Sequence, residues 1–194
     1  MVKRPRNCSW LINNNDFGSL TPQDFKCASD PDDDYNCIAW AAGRTDQPWW
    51  PTGAPYFWPD GLPKDPHPEA ETLDNFIEAF KTRGYTVCWS GRFSRRYEKI
   101  AIYVDDEGKP THAARTLPSG VWSSKLGEEE DIEHRNVKCL EGILYGKKRI
   151  FLKRRLSHNR EINAPTKFRL FLSTLLRKAL GKFSPIPKAN LTAS

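Results

Sequence analysis

The segment 98–117 limits the possible folds most strongly, because a strand pattern continues on both sides of an acidic turn. Apolar residues occupy every second position from Ile100 to Val104, which is typical of a β-strand with one face in a core. The acidic turn 105–108 separates this strand from a second run over 111–117. The sequence therefore predicts an antiparallel β-hairpin here.

Other short apolar runs, bounded by turn residues, predict further strands. They cover residues 85–89, 121–125 and 150–156, and the last is expected at an edge of the sheet. A helix is predicted after Thr72, where apolar residues follow helical spacing up to Phe80. Because helices come first and antiparallel strands follow, the predicted class is α+β, with N-terminal helices packed on a small antiparallel sheet.

Composition divides the chain into three predicted parts. Residues 1–31 are polar and lack periodicity, so they are expected to form an arm on the surface of an α+β domain over 32–156. Residues 44–68 are too rich in proline for a helix or a central strand and predict an aromatic loop. Residues 157–194 are predicted to form a basic amphipathic tail. The segment 139–145 is apolar but too short to assign.

Charge is concentrated at the C-terminal end of the chain. Residues 147–194 contain 13 Lys+Arg and a single acidic residue, Glu161, whereas residues 1–146 contain 17 Lys+Arg and 23 Asp+Glu. A basic amphipathic end predicts contact with an anionic membrane or an acidic partner through residues 165–194. Nucleic acid is not an expected partner, because no groove-reading or base-stacking motif accompanies the charge.

The cysteines predict neither a disulfide framework nor a zinc site. Their number, five, is odd, and no Cys-x-x-Cys or histidine-rich spacing is present. No cofactor or metal is therefore expected. The chain has no apolar run of signal-peptide or membrane-span length, so the expected setting is the reducing cytoplasm. Export without a cleaved signal stays open.

Residues 32–43 contain the best candidate for a nucleophile. Cys37 follows an aspartate run and Asn36, all of which can cap a helix that ends at Gly43. A thiol at the first turn of a helix lies at the positive end of the helix dipole, which favours the thiolate. His112 opens a predicted strand further along the chain and is the candidate base.

The other members of the predicted site are less determined. Asp131 is favoured as the third catalytic group that orients the histidine, with Ser124 as the alternative on a more regular element. Asn36 either contributes to an oxyanion pocket or only caps the helix. Trp49 and Trp50 either line the substrate cleft or pack in the core. His134 follows an acidic run and is expected to be a solvated helix residue.

Several motifs resemble a family of small, mostly bacterial proteins for which no reaction is established. The motifs are YNCIAWA at 35–41, HAAR at 112–115 and WSSKLG at 122–127. More remotely, a cysteine helix followed by a histidine strand resembles the papain-like and NlpC/P60-like peptidases. That resemblance implies a papain-like fold with Cys37 as nucleophile and His112 as base. The chain differs from papain in lacking a glutamine before the cysteine and an Asn-Ser-Trp motif after the histidine.

These features predict a cysteine-dependent amide hydrolase that acts on a protein or peptide through Cys37 and His112. The same pair, with an amine or a glutamine side chain as reactant, gives a transglutaminase or a deamidase, and the sequence does not separate these outcomes. The alternative from another class is a non-catalytic binding module that uses the basic C-terminal tail.

Overall fold

Seven antiparallel strands form one sheet in the computed structural model, which describes residues 8–11, 16–17, 20–53 and 56–156. The order of the strands across the sheet is β1-β6-β5-β4-β3-β7-β2. In chain order they are β1 (Phe25–Cys27), β2 (Thr86–Cys88), β3 (Tyr97–Val104), β4 (Pro110–Thr116), β5 (Trp122–Lys125), β6 (Asp131–His134) and β7 (Lys147–Arg155).

Only two α-helices accompany the sheet in the described part of the chain, α1 (Cys37–Ala41) and α2 (Leu73–Lys81). They contain five and nine residues. The predicted papain-like α+β arrangement, with helices packed on a small sheet, is therefore wrong. The fold is β-rich, because two additional strands and a long β7 extend the predicted sheet to seven strands.

The predicted hairpin is confirmed as β3 and β4, which pair with Tyr103 opposite His112. Its turn is stabilised by the Asp105 side chain, whose Oδ1 accepts the backbone N–H groups of Glu107 and Lys109. Gly108 has a positive φ of 84°, a conformation that residues with a Cβ rarely adopt. Local turn chemistry and strand alternation thus produce the central pair of the sheet.

Strand β7 was expected at an edge, but it lies between β3 and β2. Its basic residues obscured an interior strand, although charged groups of this strand lie over aromatic rings of neighbouring residues. The Arg154 guanidinium lies 4.4 Å from the centre of the Tyr85 ring, and Lys153 Nζ lies 5.1 Å from that of Tyr97.

Two strands, β1 and β6, were not predicted. β1 lies within the predicted surface arm and pairs with β6, so part of that arm belongs to the sheet. β1 has three residues within a polar segment, and two of the four residues of β6 are acidic, which obscured both strands. A 3₁₀ helix, Val137–Leu140, overlaps the beginning of the unassigned segment 139–145. The predicted tail over 157–194 lies outside the described residues.

One face of the sheet, here called the helix face, packs against both helices. It carries Ile100, Ile102, Ala113 and Leu152, which are fully buried against α1, α2 and the aromatic loop. The predicted second helix is confirmed as α2, and its N-cap Thr72 accepts the N–H of Asn75.

The opposite face, here called the arm face, packs against the N-terminal segment. It carries Ala101, Tyr103, Ala114 and Ile132, and residues Leu11 and Phe17 of the predicted arm are buried on it. Side chains alternate between the faces along each strand, so residues with even numbers in β4 and β5 point to the arm face. This alternation decides which predicted site residues can meet.

A disulfide joins Cys8 to Cys27 and ties the N-terminal segment to β1. The expectation that the cysteines form no disulfide is therefore wrong for this pair, because an odd cysteine count does not exclude a single bridge. The other three cysteines, Cys37, Cys88 and Cys139, are free thiols. Among the described residues, no helix is long and apolar enough to cross a membrane.

Asn36 holds the start of α1 to the aromatic loop. Its Oδ1 accepts the N–H groups of Ala39 and Trp49, and its Nδ2 donates to the Trp49 carbonyl. One side chain therefore caps a five-residue helix and fixes a neighbouring segment.

Asn36→Ala should lower the free energy of unfolding by about 1–2 kcal/mol, because the helix cap and the contacts with Trp49 are lost together. Urea denaturation followed by circular dichroism measures the change. Asp33→Ala is the matched control, since Asp33 is an exposed residue of the same segment and its removal should change stability by less than about 0.5 kcal/mol. Equal effects of the two substitutions would contradict the anchoring role of Asn36.

Candidate active site

Cys37 is the first residue of α1 and is buried, with 7% of its surface exposed. Burial raises the pKa of its thiol to about 11, although the backbone N–H groups of Ala113 and Ile38 act in the opposite sense. The helix dipole of five residues does not overcome this desolvation. The thiol is therefore protonated at neutral pH in the resting structure.

The Ala113 amide places the Cys37 sulfur near the plane of the sheet. N–H groups of a strand point along the sheet rather than to either face. In the described structure, β4 pairs with β5 only at Arg115 and Thr116, so β5 does not use the Ala113 amide. Cys37 thus lies where the β4–β5 pairing stops.

His112 belongs to a chain of buried polar side chains on the arm face. Its Nε2 lies 3.0 Å from Ser124 Oγ, and the same hydroxyl lies 3.0 Å from Nε2 of His134. His112 and Ser124 are 0% exposed, and His134 is 1% exposed. Three strands, β4, β5 and β6, each contribute one residue.

The backbone carbonyl of Asn136, at the end of this hydrogen-bond chain, determines which atom is the donor in each of its hydrogen bonds. His134 Nδ1 lies 2.9 Å from the carbonyl oxygen of Asn136, which can only accept, so Nδ1 carries the proton. A neutral His134 then accepts at Nε2, and Ser124 donates to it. The Ser124 oxygen in turn accepts from Nε2–H of His112. Nδ1 of His112 is left with a lone pair.

That nitrogen is buried and has no hydrogen-bond partner. Burial lowers the pKa of His112 to about 3, with the neighbouring His134 as a smaller cause, and burial lowers the pKa of His134 to about 4. Both rings are therefore neutral at physiological pH. A neutral imidazole with a free Nδ1 is the form of histidine that can accept a proton.

Cys37 and His112 are neighbours, but they are not paired. No hydrogen bond joins the Cys37 sulfur to the His112 ring, although both residues belong to the described part of the chain. The helix that carries Cys37 packs on the helix face, whereas the alternation of β4 points His112 to the arm face. The link between them along the chain is Ala113, the residue after His112, whose N–H acts on the Cys37 thiol.

Tyr145 covers His112. The two rings stack with centroids 3.9 Å apart and an angle of 9° between their planes. Burial raises the pKa of Tyr145, and the charge of a Cys37 thiolate would raise it further, which places Tyr145 near both residues. The next residue, Gly146, packs on the end of β3, where a Cβ would lie 1.9 Å from the Val104 carbonyl oxygen.

Asp131 lies away from His112, on the helix face. Its Oδ2 accepts the hydroxyl of Tyr35 at 2.7 Å, and its backbone N–H donates to Ser29. Burial raises the pKa of this carboxyl, while Tyr35 and Lys125 act to lower it. The structure therefore brings Ser124, and not Asp131, to the histidine.

The remaining predicted residues have packing and capping contacts. The Asn36 Oδ1 accepts from Ala39 and Trp49, and its Nδ2 donates to the Trp49 carbonyl, which are the contacts of a helix cap and a loop anchor. Trp49 is buried against Phe57, and Trp50 donates its Nε1–H to Glu71. Neither tryptophan lies next to His112.

His134 is the site residue that the sequence analysis missed. It was expected to be a solvated helix residue, but it is buried in β6 on the same face as Ile132. The alternation Asp131-Ile132-Glu133-His134 contains this information, since every second residue of a strand shares a face. The acidic residues Asp131 and Glu133 made this strand alternation difficult to recognise in the sequence.

Two groups of potential metal ligands occur in the described residues. Cys8, Cys27 and Glu130 lie together, but both sulfurs are used by the disulfide. Asp32, Asp33 and Asp34 also lie together near the surface. Neither group lies in the His112–Ser124–His134 chain.

The structure is a β-rich domain with a buried thiol at the start of α1 and a buried chain of two histidines and a serine across β4, β5 and β6. Residues 26–153 match the DUF7689 family, which is described as a domain of unknown function, and the chain belongs to this family. The matched segment includes every residue of the proposed site. No curated protein and no solved structure matches the chain.

The buried histidines predict a loss of stability in mild acid. Both have folded-state pKa values below the ordinary 6.5, so the unfolded chain binds more protons between about pH 6.5 and 4. The free energy of unfolding should therefore fall as pH decreases through this window, by up to about 1.4 kcal/mol per pH unit for each histidine.

Urea denaturation at pH 7, 6 and 5 measures this decline. The double variant His112→Gln, His134→Gln should show a shallower slope, whereas His67→Gln should not, because His67 is exposed. A wild-type stability that does not change between pH 7 and pH 5 would be incompatible with two neutral buried histidines.

Proposed function

We propose that the protein is a cysteine-dependent amide hydrolase in which Cys37 is the nucleophile and His112 is the general base. The observation that supports this most strongly is the free Nδ1 of His112, a buried lone pair with no partner, beside the residue that contacts the thiol. Ser124 and His134 take the part of the third catalytic group, because they hold the other ring nitrogen and set its tautomer.

The reaction follows from these positions. His112 Nδ1 accepts the Cys37 proton as the sulfur attacks the carbonyl carbon of an amide. The C–N bond then breaks, the leaving amine takes the proton from His112, and an acyl thioester remains on Cys37. Water gives a proton to Nδ1 and attacks the thioester, which releases a carboxylic acid and restores the thiol.

The resting pair is neutral, so this proposal differs from a preformed thiolate–imidazolium pair. A thiol with a pKa of about 11 beside an imidazole with a pKa of about 3 keeps its proton until a substrate is in place. Productive contact requires rotation of the two side chains and displacement of the Tyr145 ring from His112. Burial in the resting state therefore limits attack on unrelated molecules.

Transfer to an amine and deamidation of glutamine use the same steps with a different acyl donor or acceptor, and they stay alternatives. The non-catalytic binding module also stays a proposal, and the raised pKa of the buried thiol is the observation that favours it.

The cytoplasmic location stays a prediction. The disulfide between Cys8 and Cys27 favours an oxidising compartment instead.

Acylation by p-nitrophenyl acetate tests the pair without knowledge of the natural substrate. Wild type should release nitrophenol and carry an acetyl group on Cys37, as identified by peptide mass spectrometry. His112→Ala should lower the acylation rate by about 10²–10⁴-fold, because the general base is lost. Ser124→Ala should lower it less, since the ring remains but its tautomer is no longer held.

Two matched variants serve as controls. Cys88→Ala removes a half-buried free thiol, and His67→Ala removes an exposed histidine. In both variants, Cys37 should be acylated at the wild-type rate. Acylation that continues unchanged in Cys37→Ala or in a folded His112→Ala would exclude the proposed roles and would favour the binding module.

A further inference from the structure

The loop that connects β2 to β3 exposes large aromatic side chains. Trp89 is 99% exposed and Phe93 is 49% exposed, and Val87 at the end of β2 is 43% exposed. A nearly fully exposed tryptophan has almost no contact with the rest of its own chain. Contiguous exposed apolar surface of this kind marks an interaction site more often than isolated apolar residues do.

The exposure does not arise from poor packing of the loop. Gly91 lies against the Phe151 ring, where a Cβ would approach to 2.6 Å, and the Phe93 ring lies against Gly120, where a Cβ would approach to 2.8 Å. Lys99 Nζ also donates to the Ser90 carbonyl at 2.5 Å. The loop is therefore held on the sheet while Trp89 projects from it.

Positive charge surrounds these aromatic residues. Arg92, Arg95 and Arg96 are exposed in the same loop, and the sequence has no acidic residue between Glu78 and Glu98. Glu98 itself is buried, and its carboxylate lies 2.6 Å from Arg154. The segment 87–96, here called the aromatic–basic loop, therefore combines exposed apolar side chains with exposed positive charge and contains no acidic residue.

We infer that the aromatic–basic loop docks on an anionic membrane surface. Tryptophan is enriched at the membrane–water boundary because its ring is apolar and its N–H is polar. Arginine side chains beside it are attracted to anionic headgroups. A single-stranded nucleic acid also pairs bases with aromatic rings and phosphates with arginine, but stacking platforms are rings that line a groove. Trp89 instead projects from a loop, which favours insertion into lipid.

This docking is independent of the proposed chemistry at Cys37 and does not use residues 157–194. It assigns to the described domain a lipid-facing surface at the β2 edge of the sheet. Attachment through Trp89 would hold the domain at the surface of an anionic membrane leaflet. Salt would weaken this contact, because it screens the charges of the arginines and the headgroups.

Co-sedimentation of the full chain with vesicles tests the proposal. Vesicles of phosphatidylcholine with about 30% phosphatidylserine should bind the protein, and pure phosphatidylcholine vesicles should bind it much less. Trp89→Ala should lower the partition coefficient by about ten-fold, because the inserted ring is lost. The triple variant Arg92→Gln, Arg95→Gln, Arg96→Gln should remove the preference for phosphatidylserine.

The controls remove similar groups elsewhere. Ile143→Ala takes away an apolar side chain that is 85% exposed on another loop, and Lys26→Gln, Lys64→Gln, Lys138→Gln removes three exposed positive charges. Both should bind as wild type does. Quenching of tryptophan fluorescence by brominated lipid should decrease in Trp89→Phe, which identifies the ring that enters the bilayer.

Three results would overturn the inference. The first is an absence of binding to vesicles that contain phosphatidylserine. The second is binding that Trp89→Ala leaves unchanged, which would locate the contact in another part of the chain. The third is Trp89-dependent binding to oligo(dT) without binding to vesicles, which would assign the surface to nucleic acid.

Discussion

The proposed site depends on the point at which β4 and β5 stop pairing. Their backbone pairing within the described structure consists of Arg115 with Ser123 and Thr116 with Trp122. Beyond it, the strands are joined by the Ser124 side chain, which binds His112. The Ala113 amide is left to face the Cys37 sulfur. A ladder that continued to His112 would use that amide and close the space between thiol and imidazole.

The second constraint is the order of protons in the buried chain. A carbonyl oxygen, that of Asn136, cannot donate, and this one fact sets the tautomer of His134, the orientation of the Ser124 hydroxyl and the tautomer of His112. Paired polar groups in a buried network stabilise one arrangement of a core, and in this network Nδ1 of His112 is left without a partner. The nitrogen left without a partner belongs to His112, and the amide of the next residue, Ala113, acts on the Cys37 thiol, which is the basis of the proposed catalytic role.

The parts of the fold that could be predicted are those with local signals. The β3–β4 hairpin follows from alternation around an acidic turn, and α2 follows from its spacing and the Thr72 cap. Strands β1 and β6 were missed because β1 is three residues within a polar segment and acidic residues obscured the alternation of β6. The fold class was wrong for the same reason, since short and charged strands supply much of the sheet.

The site could be predicted only in part. Cys37 and His112 were chosen from residue type and order along the chain, and their pairing stays a prediction. The third group could not be identified because it depends on strand register. Register places Ser124 and His134 on the face of His112, whereas Asp131, with the more suitable chemistry, lies on the other face with Tyr35. A shift of one position along a strand moves a side chain to the opposite face of the sheet and so decides whether it can contact His112.

The tautomer of His112 is the central claim, and long-range ¹⁵N–¹H NMR of histidine-labelled protein at pH 7 measures it directly. The structure predicts a neutral ring with the proton on Nε2 and an unprotonated Nδ1, and a change in that pattern in Ser124→Ala. A proton on Nδ1, or an imidazolium at this pH, would contradict the account, because His112 would then have no lone pair with which to accept the Cys37 proton.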